Sequence, residues 1–340
     1  MTYQKNTILN ELRKKSEIDN AQSIKHDILK NKLYINWKDG HKSVYDVEKI
    51  INNQLSLEKY IPQPLLWNCE TFKSNSKILS YDDFNIEEFY KEFLTFGLVF
   101  IKNVPSSDSV YTKTLCEEIA CIQNTLFGGF WTFSNMSTSN EQTHADTAYT
   151  SSSIGLHTDS TYFSQTPGIQ VLHCLQKAKS GGENILVDGI YCAKDLQKNY
   201  YKYFKYLSEN KFYHHYKEKA GKNSATGYHS INHTKIIEVE DGKIRQVRFN
   251  PYDRMDINLN ENLSMFYDSY IKFNEILTDK DNILEVMLEP GTAMFMDNTR
   301  VLHGRKKFEG KRIICGAYLS RDDLMARAIN VFEKNKLNFL

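Results

Sequence analysis

Three residues carry the strongest chemical signal in the chain: His157, Asp159 and His303. His157-Thr158-Asp159 is a His-x-Asp pair flanked by Ile154, Leu156, Tyr162 and Phe163. On a strand, residues i and i+2 share a face, so the imidazole and carboxylate can converge on one ion; on a helix they would turn apart by about 200°. The pattern alone is common, since 10 His and 20 Asp among 340 residues make about 0.6 such pairs expected by chance. A second pair exists, His144-Ala145-Asp146, but it lies in the polar stretch Thr138 to Thr147 without strand flanks, so His157 and Asp159 are preferred. His303 directly follows a predicted strand, Ala293 to Met296, within Asp297-Asn298-Thr299-Arg300-Val301-Leu302-His303-Gly304-Arg305. Two His and one carboxylate on one face of Fe(II) leave three positions open, enough for a bidentate co-substrate and O2. Nine residues after His303, Arg312 opens another predicted strand. A fixed guanidinium there could grip the far carboxylate of 2-oxoglutarate through two parallel hydrogen bonds. Taken singly, a His packs more often in a core or on a surface, and Arg312 could be half of a surface ion pair. The ordered combination favours the metal site.

Such residues need a rigid scaffold, and the chain is long enough to supply one. Its 340 residues can bury a large core without disulfides or a structural metal. Lys plus Arg is 43 and Asp plus Glu is 42, a net charge of +1, which argues against a nucleic-acid partner or an anionic membrane surface. The six cysteines, Cys69, Cys116, Cys121, Cys174, Cys192 and Cys315, form no C-x-x-C pair and read as free thiols of a reducing compartment. No apolar run approaches the length of a membrane span. Residues Met1 to Ile28 mix acids with their Lys and Arg and show no apolar signal core or transit-peptide pattern, so a cytoplasmic location is expected.

Along the chain, residues 1 to 30 read as a helical or frayed lead-in, followed by a hairpin of Lys32 to Trp37 and Ser43 to Tyr45 around Asp39-Gly40. Phe84, Phe89, Phe93 and Phe96 stand at helical spacing, Leu98 to Ile101 is a buried strand, and Ser107 to Phe127 reads as a helix. Residues 132 to 153 form a long Ser-, Thr- and Asn-rich loop. Short strands are predicted over Gly168 to Leu175, Asn184 to Val187, Lys235 to Val239, Gln246 to Phe249, Leu284 to Leu288, Ala293 to Met296 and Arg312 to Leu319. Helices are expected at Ala193 to Leu207 and Leu263 to Leu277. Many short strands with turns between them favour a mainly β fold with flanking helices, a β-sandwich or jelly roll.

With these motifs in place the sequence resembles the γ-butyrobetaine and trimethyllysine dioxygenases, which are Fe(II)- and 2-oxoglutarate-dependent. The similarity runs through Leu33 to Tyr45, Phe93 to Pro105, Asp146 to Thr150, Leu156 to Phe163, Pro167 to Leu175, Gly181 to Gly189, Arg248 to Arg254, Pro290 to Arg305 and Cys315 to Asp323. The resemblance implies a distorted double-stranded β-helix over residues 69–340, preceded by a small N-terminal β domain over 1–68. It implies Fe(II) on His157, Asp159 and His303, 2-oxoglutarate anchored by Arg312, O2 as oxidant and ascorbate as reductant. It also implies a small quaternary-ammonium substrate and a possible homodimer.

Asp146 to Thr150, His157 to Phe163, Asn250 to Arg254 and Tyr318 to Asp323 look closer to trimethyllysine dioxygenases, which implies hydroxylation of N6-trimethyllysine at C3, the first step toward carnitine. Asp146 stands where the γ-butyrobetaine enzyme tends to have Asn, and could pair with the α-ammonium that γ-butyrobetaine lacks. A quaternary ammonium has no N–H to donate and is held by aromatic faces. By resemblance that cage falls on Trp131 and Tyr149, with Phe127 and Tyr318 as further members, and Asn250 joins the substrate-binding set. Three departures stand out. Phe127 replaces a Tyr; Thr299 replaces a Trp, loosening the packing expected beside the iron; and no Cys lies before His41, so no structural zinc is expected and His41 reads as an exposed turn residue. The alternatives are hydroxylation of γ-butyrobetaine or another quaternary-ammonium acid, and, in a different class, a non-catalytic module that binds trimethylammonium ligands.

Overall fold

The computed structural model describes residues 21–47, 61–135, 150–220, 227–256 and 262–337. The chain divides into two compact units, 1–60 and 61–340. The first is an antiparallel meander of β1 (Ala21–Asp27), β2 (Lys32–Trp37) and β3 (Lys42–Asp46). Gly40 takes the left-handed φ of 86° that the β2–β3 turn requires. His41 is exposed beside it, its N–H donating to Asp39 Oδ1 at 2.9 Å. The expected helical lead-in is corrected over 21–27, where β1 pairs with β2; residues 1–20 lie outside the described residues. Most of the β1 side chains are exposed, so backbone pairing rather than an apolar pattern makes it a strand.

The second unit opens with α1 (Cys69–Asn75), β4 (Ile78–Ser80), α2 (Ile86–Phe96), β5 (Leu98–Lys102), α3 (Val110–Ile119), β6 (Ile122–Gln123), β7 (Phe130–Ser134), β8 (Ile154–His157) and β9 (Ile169–Gln176). It continues with β10 (Ser180–Gly181), β11 (Asn184–Asp188), α4 (Gly189–Asn199), α5 (Tyr201–Glu209), β12 (Phe212–Glu218), β13 (Tyr228–Thr234), β14 (Ile237–Glu240) and β15 (Lys243–Val247). It closes with α6 (Leu263–Leu277), β16 (Leu284–Val286), β17 (Ala293–Asp297), β18 (Val301–Arg305), β19 (Phe308–Glu309), β20 (Ile313–Leu319) and α7 (Arg321–Leu337). No helix among the described residues is long and apolar enough to cross a membrane.

Two sheets face each other, as in a jelly roll. The larger runs β4-β5-β17-β9-β20-β6, with β7 also pairing β20; the smaller runs β16-β11-β18-β8. Every pairing is antiparallel except β4 with β5. Three apolar layers follow. Phe100, Met294, Met296 and Ile314 of the large sheet meet Leu186, Leu284 and Val301 of the small one between the sheets. The outer face of the large sheet packs Val171, Phe295 and Ala317 against Phe89 and Phe93 of α2 and Leu115 of α3. The outer face of the small sheet packs Val187 and Leu302 against Leu196 of α4, Leu207 of α5 and Phe273 of α6. Of the phenylalanines noted in the sequence, Phe89, Phe93 and Phe96 are on the buried face of α2 while Phe84 precedes it; Asn85 caps the helix by accepting from Glu88 N–H and Gly97 ends it at φ 69°.

Three expected boundaries are corrected. The helix expected to run to Phe127 stops at Ile119, where Ala120 turns extended and β6 begins. The helix expected over 193–207 is two, because Tyr200 (φ −139°, ψ 50°) leaves the helical region. The loop expected over 132–153 begins as β7, paired along β20 from Ala317 to Ile313.

A buried ion pair ties the elements together. Arg300 Nη2 donates to Asp188 Oδ2 at 2.7 Å, and Arg300 also donates to the carbonyls of Thr95 and Leu65. Asp188 accepts from the N–H groups of Trp67, Ile190 and Tyr191, so one carboxylate both caps α4 and binds the arginine.

Candidate active site

The three candidate ligands converge because of strand register. His303 of β18 and His157 of β8 are direct cross-strand partners, and Asp159 stands two residues past His157. Nε2 of His157 lies 3.3 Å and Nε2 of His303 lies 3.6 Å from Asp159 Oδ1, and the three ligand atoms all fall within 4.8 Å of one another. Ligands at ~2.1 Å and right angles around one ion stand about 3 Å apart, so this set needs only a small contraction to close on a metal. The register slips between His303 and Arg305. Gly304 permits the slip, since a Cβ there would lie 2.6 Å from the carbonyl oxygen of Ile154.

The surroundings orient each ligand. His157 Nδ1 donates to the carbonyl of Gly155 at 2.9 Å, which leaves Nε2 as the atom facing the centre. Asp159 N–H donates to Asn298 Oδ1 at 2.7 Å, and Asn298 Nδ2 donates back to the Asp159 carbonyl at 3.1 Å and to that of Pro167 at 3.0 Å. The Tyr318 hydroxyl donates to Asp159 Oδ2. Burial raises the Asp159 carboxyl, but the two histidines and the Tyr318 hydrogen bond outweigh it and bring it to about 2. Burial lowers His303 to about 4. Burial also works against protonation of His157, but its hydrogen bond and attraction to Asp159 raise it overall. An ionised carboxylate beside a neutral imidazole is the ligand state a divalent cation needs.

Arg312 lines the same cavity. It is buried, burial lowers its pKa, and no carboxylate pairs with it among the described residues. Its guanidinium stands 5.7 Å from the Phe308 ring, and Asn135 accepts from its backbone N–H at 2.9 Å. Asn184 and Gln170 also line the cavity, and Asn184 Nδ2 and Gln170 Oε1 are buried without a hydrogen-bond partner among the described residues. An unpaired buried guanidinium beside an orphaned amide donor is costly unless an anion fills the space. These residues fit a dicarboxylate such as 2-oxoglutarate, as the three ligand atoms fit a divalent metal.

Aromatic rings wall the rest. Trp131 stands 6.3 Å from Tyr318 and 5.4 Å from Phe133. Gly316 lets the indole lie on the sheet, since a Cβ there would fall 2.7 Å from Trp131 Cη2 and 1.9 Å from the Val171 carbonyl oxygen. Phe127 meets Tyr216 at 6.1 Å, and Tyr216 stacks on Tyr162 at 5.0 Å. Trp131, Phe127, Tyr318 and Asn250 thus line one cavity with the three ligating residues and Arg312, whereas Tyr149 and Asp146 lie outside the described residues. The Asn250 amide is already engaged: Nδ2 donates to the Thr158 carbonyl and to Asp253, and Oδ1 accepts from Tyr252 N–H. Thr299 is not among the lining residues; its N–H and hydroxyl both serve Asp297 Oδ1.

Tyr162, Tyr216, Tyr252, Asp253, Gln170, Asn184 and Arg305 also line the cavity and were not singled out from sequence. Arg305 donates to the carbonyls of Thr150 (2.6 Å) and Ser152 (2.8 Å), fixing the chain where it enters β8.

The profile of the Taurine catabolism dioxygenase TauD, TfdA family matches residues 69–318. The trimethyllysine dioxygenase of Gallus gallus is 34% identical over 310 residues, covering 87% of this chain and 72% of the relative. That of Mus musculus is 33% identical over 309 residues, covering 87% and 71%. That of Meyerozyma guilliermondii is 32% identical over 333 residues, covering 91% and 81%. Among solved structures, PvcB, an Fe, α-ketoglutarate-dependent oxygenase, superimposes with a TM-score of 0.53 at 15% identity, covering 72% of this chain and 83% of that one. A taurine dioxygenase from Burkholderia xenovorans gives 0.52 at 13% identity, covering 78% and 97%.

Proposed function

We propose that this chain, which belongs to the TauD, TfdA family of dioxygenases and within it to the trimethyllysine dioxygenases, hydroxylates N6-trimethyllysine at C3 with Fe(II) and 2-oxoglutarate. The observation that carries the reading is a single cavity that joins three converging ligand atoms, a buried arginine without a carboxylate partner, and an aromatic wall. His157, Asp159 and His303 would hold Fe(II), and Arg312 with Asn184 would bind the far carboxylate of 2-oxoglutarate. Together with O2, that pair supplies the oxidising power for C–H hydroxylation, 2-oxoglutarate leaving as succinate and CO2.

The protein's own part is positioning. Gly155 and Asn298 fix the ligands, and Tyr318 holds Oδ2 of Asp159 away from the centre. Trp131, Phe127, Tyr216 and Tyr318 present ring faces suited to a trimethylammonium head. The packed layers on either side hold the site in a rigid frame.

A paired turnover assay tests the reading. Fe(II)-loaded protein with 2-oxoglutarate and ascorbate is given trimethyllysine or γ-butyrobetaine, and mass spectrometry follows the one-oxygen product together with succinate. A hydroxylated trimethyllysine is expected. Product from γ-butyrobetaine alone would keep the chemistry and overturn the substrate; product from neither would overturn the reading.

A further inference from the structure

Asp253 is a buried carboxylate with no role in holding the metal. It follows β15 in the turn Asn250 to Arg254 and lines the same cavity. Its oxygens are used unequally. Oδ2 accepts from Thr161 N–H (3.3 Å), Thr161 Oγ1 (3.0 Å) and Asn250 Nδ2 (2.9 Å). No donor among the described residues reaches Oδ1, and no Lys, Arg or His forms an ion pair with the group. Apart from Asp159 it is the only carboxylate among the described lining residues.

We propose that Asp253 Oδ1, rather than the Asp146 singled out from the sequence, receives the α-ammonium of the amino-acid substrate, and that this contact selects trimethyllysine over acids that carry only the quaternary head. The inference rests on the function proposed above. Covalent geometry makes the requirement sharp: the α-nitrogen lies about 2.5 Å from C3, so its receptor must border the reacting centre. Asp253 does, lining the same cavity as His157, Asp159 and His303. A primary ammonium, unlike the quaternary one, has N–H groups to donate, and aromatic faces cannot accept them as a carboxylate does. Thr161 and Asn250 hold the carboxylate in place through Oδ2, so Oδ1 is pre-oriented without loss of side-chain freedom on binding. Burial raises the Asp253 carboxyl to about 7, against the Thr161 hydrogen bonds; a substrate ammonium beside Oδ1 would supply the stabilising charge. The plainer role is a clamp between the 250–254 turn and the Thr158 to Thr161 segment, which Oδ2 alone performs.

The test is calorimetric titration of the full chain loaded anaerobically with Fe(II) and 2-oxoglutarate, so that binding is read without turnover. The ligands are trimethyllysine and 6-(trimethylammonio)hexanoate, which is the same molecule with hydrogen in place of the α-ammonium. Wild type is expected to bind trimethyllysine at least ten-fold more tightly than the analogue. Asp253→Asn keeps an acceptor for Thr161 but loses the charge, and is expected to shrink that ratio at least ten-fold, whereas Asp253→Glu is expected to retain a clear preference. A wild type that binds both ligands equally overturns the inference and needs no folded variant to do so. A preference that survives Asp253→Asn overturns it as well, leaving Asp253 a clamp. A wild type that binds neither ligand defeats the proposed function itself and this inference with it.

Discussion

The Tyr318 hydroxyl donates to Asp159 Oδ2 at 2.9 Å, while Oδ1 of the same carboxylate faces Nε2 of both His157 and His303. Tyr318 sits on β20 of the large sheet and Asp159 lies two residues past the end of β8 of the small one, so this hydrogen bond ties the two sheets together at the site. It also fixes which carboxylate oxygen is left for an ion.

Tyr318→Phe keeps the ring and removes that hydrogen bond. Loss of a partner that orients a ligand typically costs about 10- to 100-fold in metal affinity or activity. We expect Fe(II) affinity, measured by anaerobic titration, to weaken by about ten-fold at the low end of that range. Unchanged affinity would mean that Asn298 and the backbone orient Asp159 without help.

Gly316→Ala is expected to damage the site from behind. A methyl there would meet the Val171 carbonyl oxygen and the Trp131 indole on opposite sides, so β9, β20 or Trp131 must move. Overpacking of this kind costs about 1–3 kcal/mol, readable by urea denaturation. A KM for the quaternary-ammonium substrate that rises while KM for 2-oxoglutarate holds would locate the damage at Trp131; a variant as stable as wild type would contradict the packing argument.

The Asp188–Arg300 pair should dominate stability among the buried polar contacts. Asp188→Ala strands the guanidinium and uncaps α4, and breaking one side of a buried pair costs about 3–5 kcal/mol. A loss below about 1 kcal/mol in denaturant titration would show that the other partners of Arg300 suffice.

Acid sensitivity should come partly from buried histidines that are not among the candidate metal ligands. Burial lowers His173 to about 4, with Nδ1 2.6 Å from Thr112 Oγ1 and Nε2 without a partner among the described residues. Burial, aided by Arg248 and Arg254, lowers His214 to about 4 as well. Both are neutral when folded, and the unfolded chain takes up their protons near 6.5, so stability falls as pH drops from 6.5 toward 4. The full drop is about 3 kcal/mol for each. Asp253, raised to about 7, works the other way, losing stability as pH rises from about 4 to 7. The clean readout is therefore His214→Gln against wild type: its stability should depend less on pH between 6.5 and 4. An identical slope would mean that His214 is not buried neutral.

What could be read from sequence follows from how local each signal is. His157 closes β8 and Asp159 follows two residues later in a turn, not on the strand that the sequence suggested, while His303 lies just beyond a continuous apolar strand; the short spacing and the apolar pattern still point to them. Leu263 to Leu277 was legible end to end as one helix, and the structure adds its Asn262 cap. The β12–β13 hairpin was not, because Phe212 to Glu218 and Tyr228 to Thr234 alternate His, Tyr, Asn and Ser rather than apolar residues. Tyr216 was hidden with it. Strand β18 reads Val-Leu-His-Gly-Arg and was masked by its own functional residues. Asn184, Gln170 and Asp253 carry no motif of their own; only the closing of the two sheets puts them around one space.

The most direct test of the central claim is succinate formation with trimethyllysine by wild type and by His303→Ala, each given Fe(II), 2-oxoglutarate and O2. The account predicts one succinate per hydroxylated product in wild type and a loss to background in the variant, with the fold retained by circular dichroism. Near-normal succinate from a folded His303→Ala would contradict the assignment of His157, Asp159 and His303 as one metal centre.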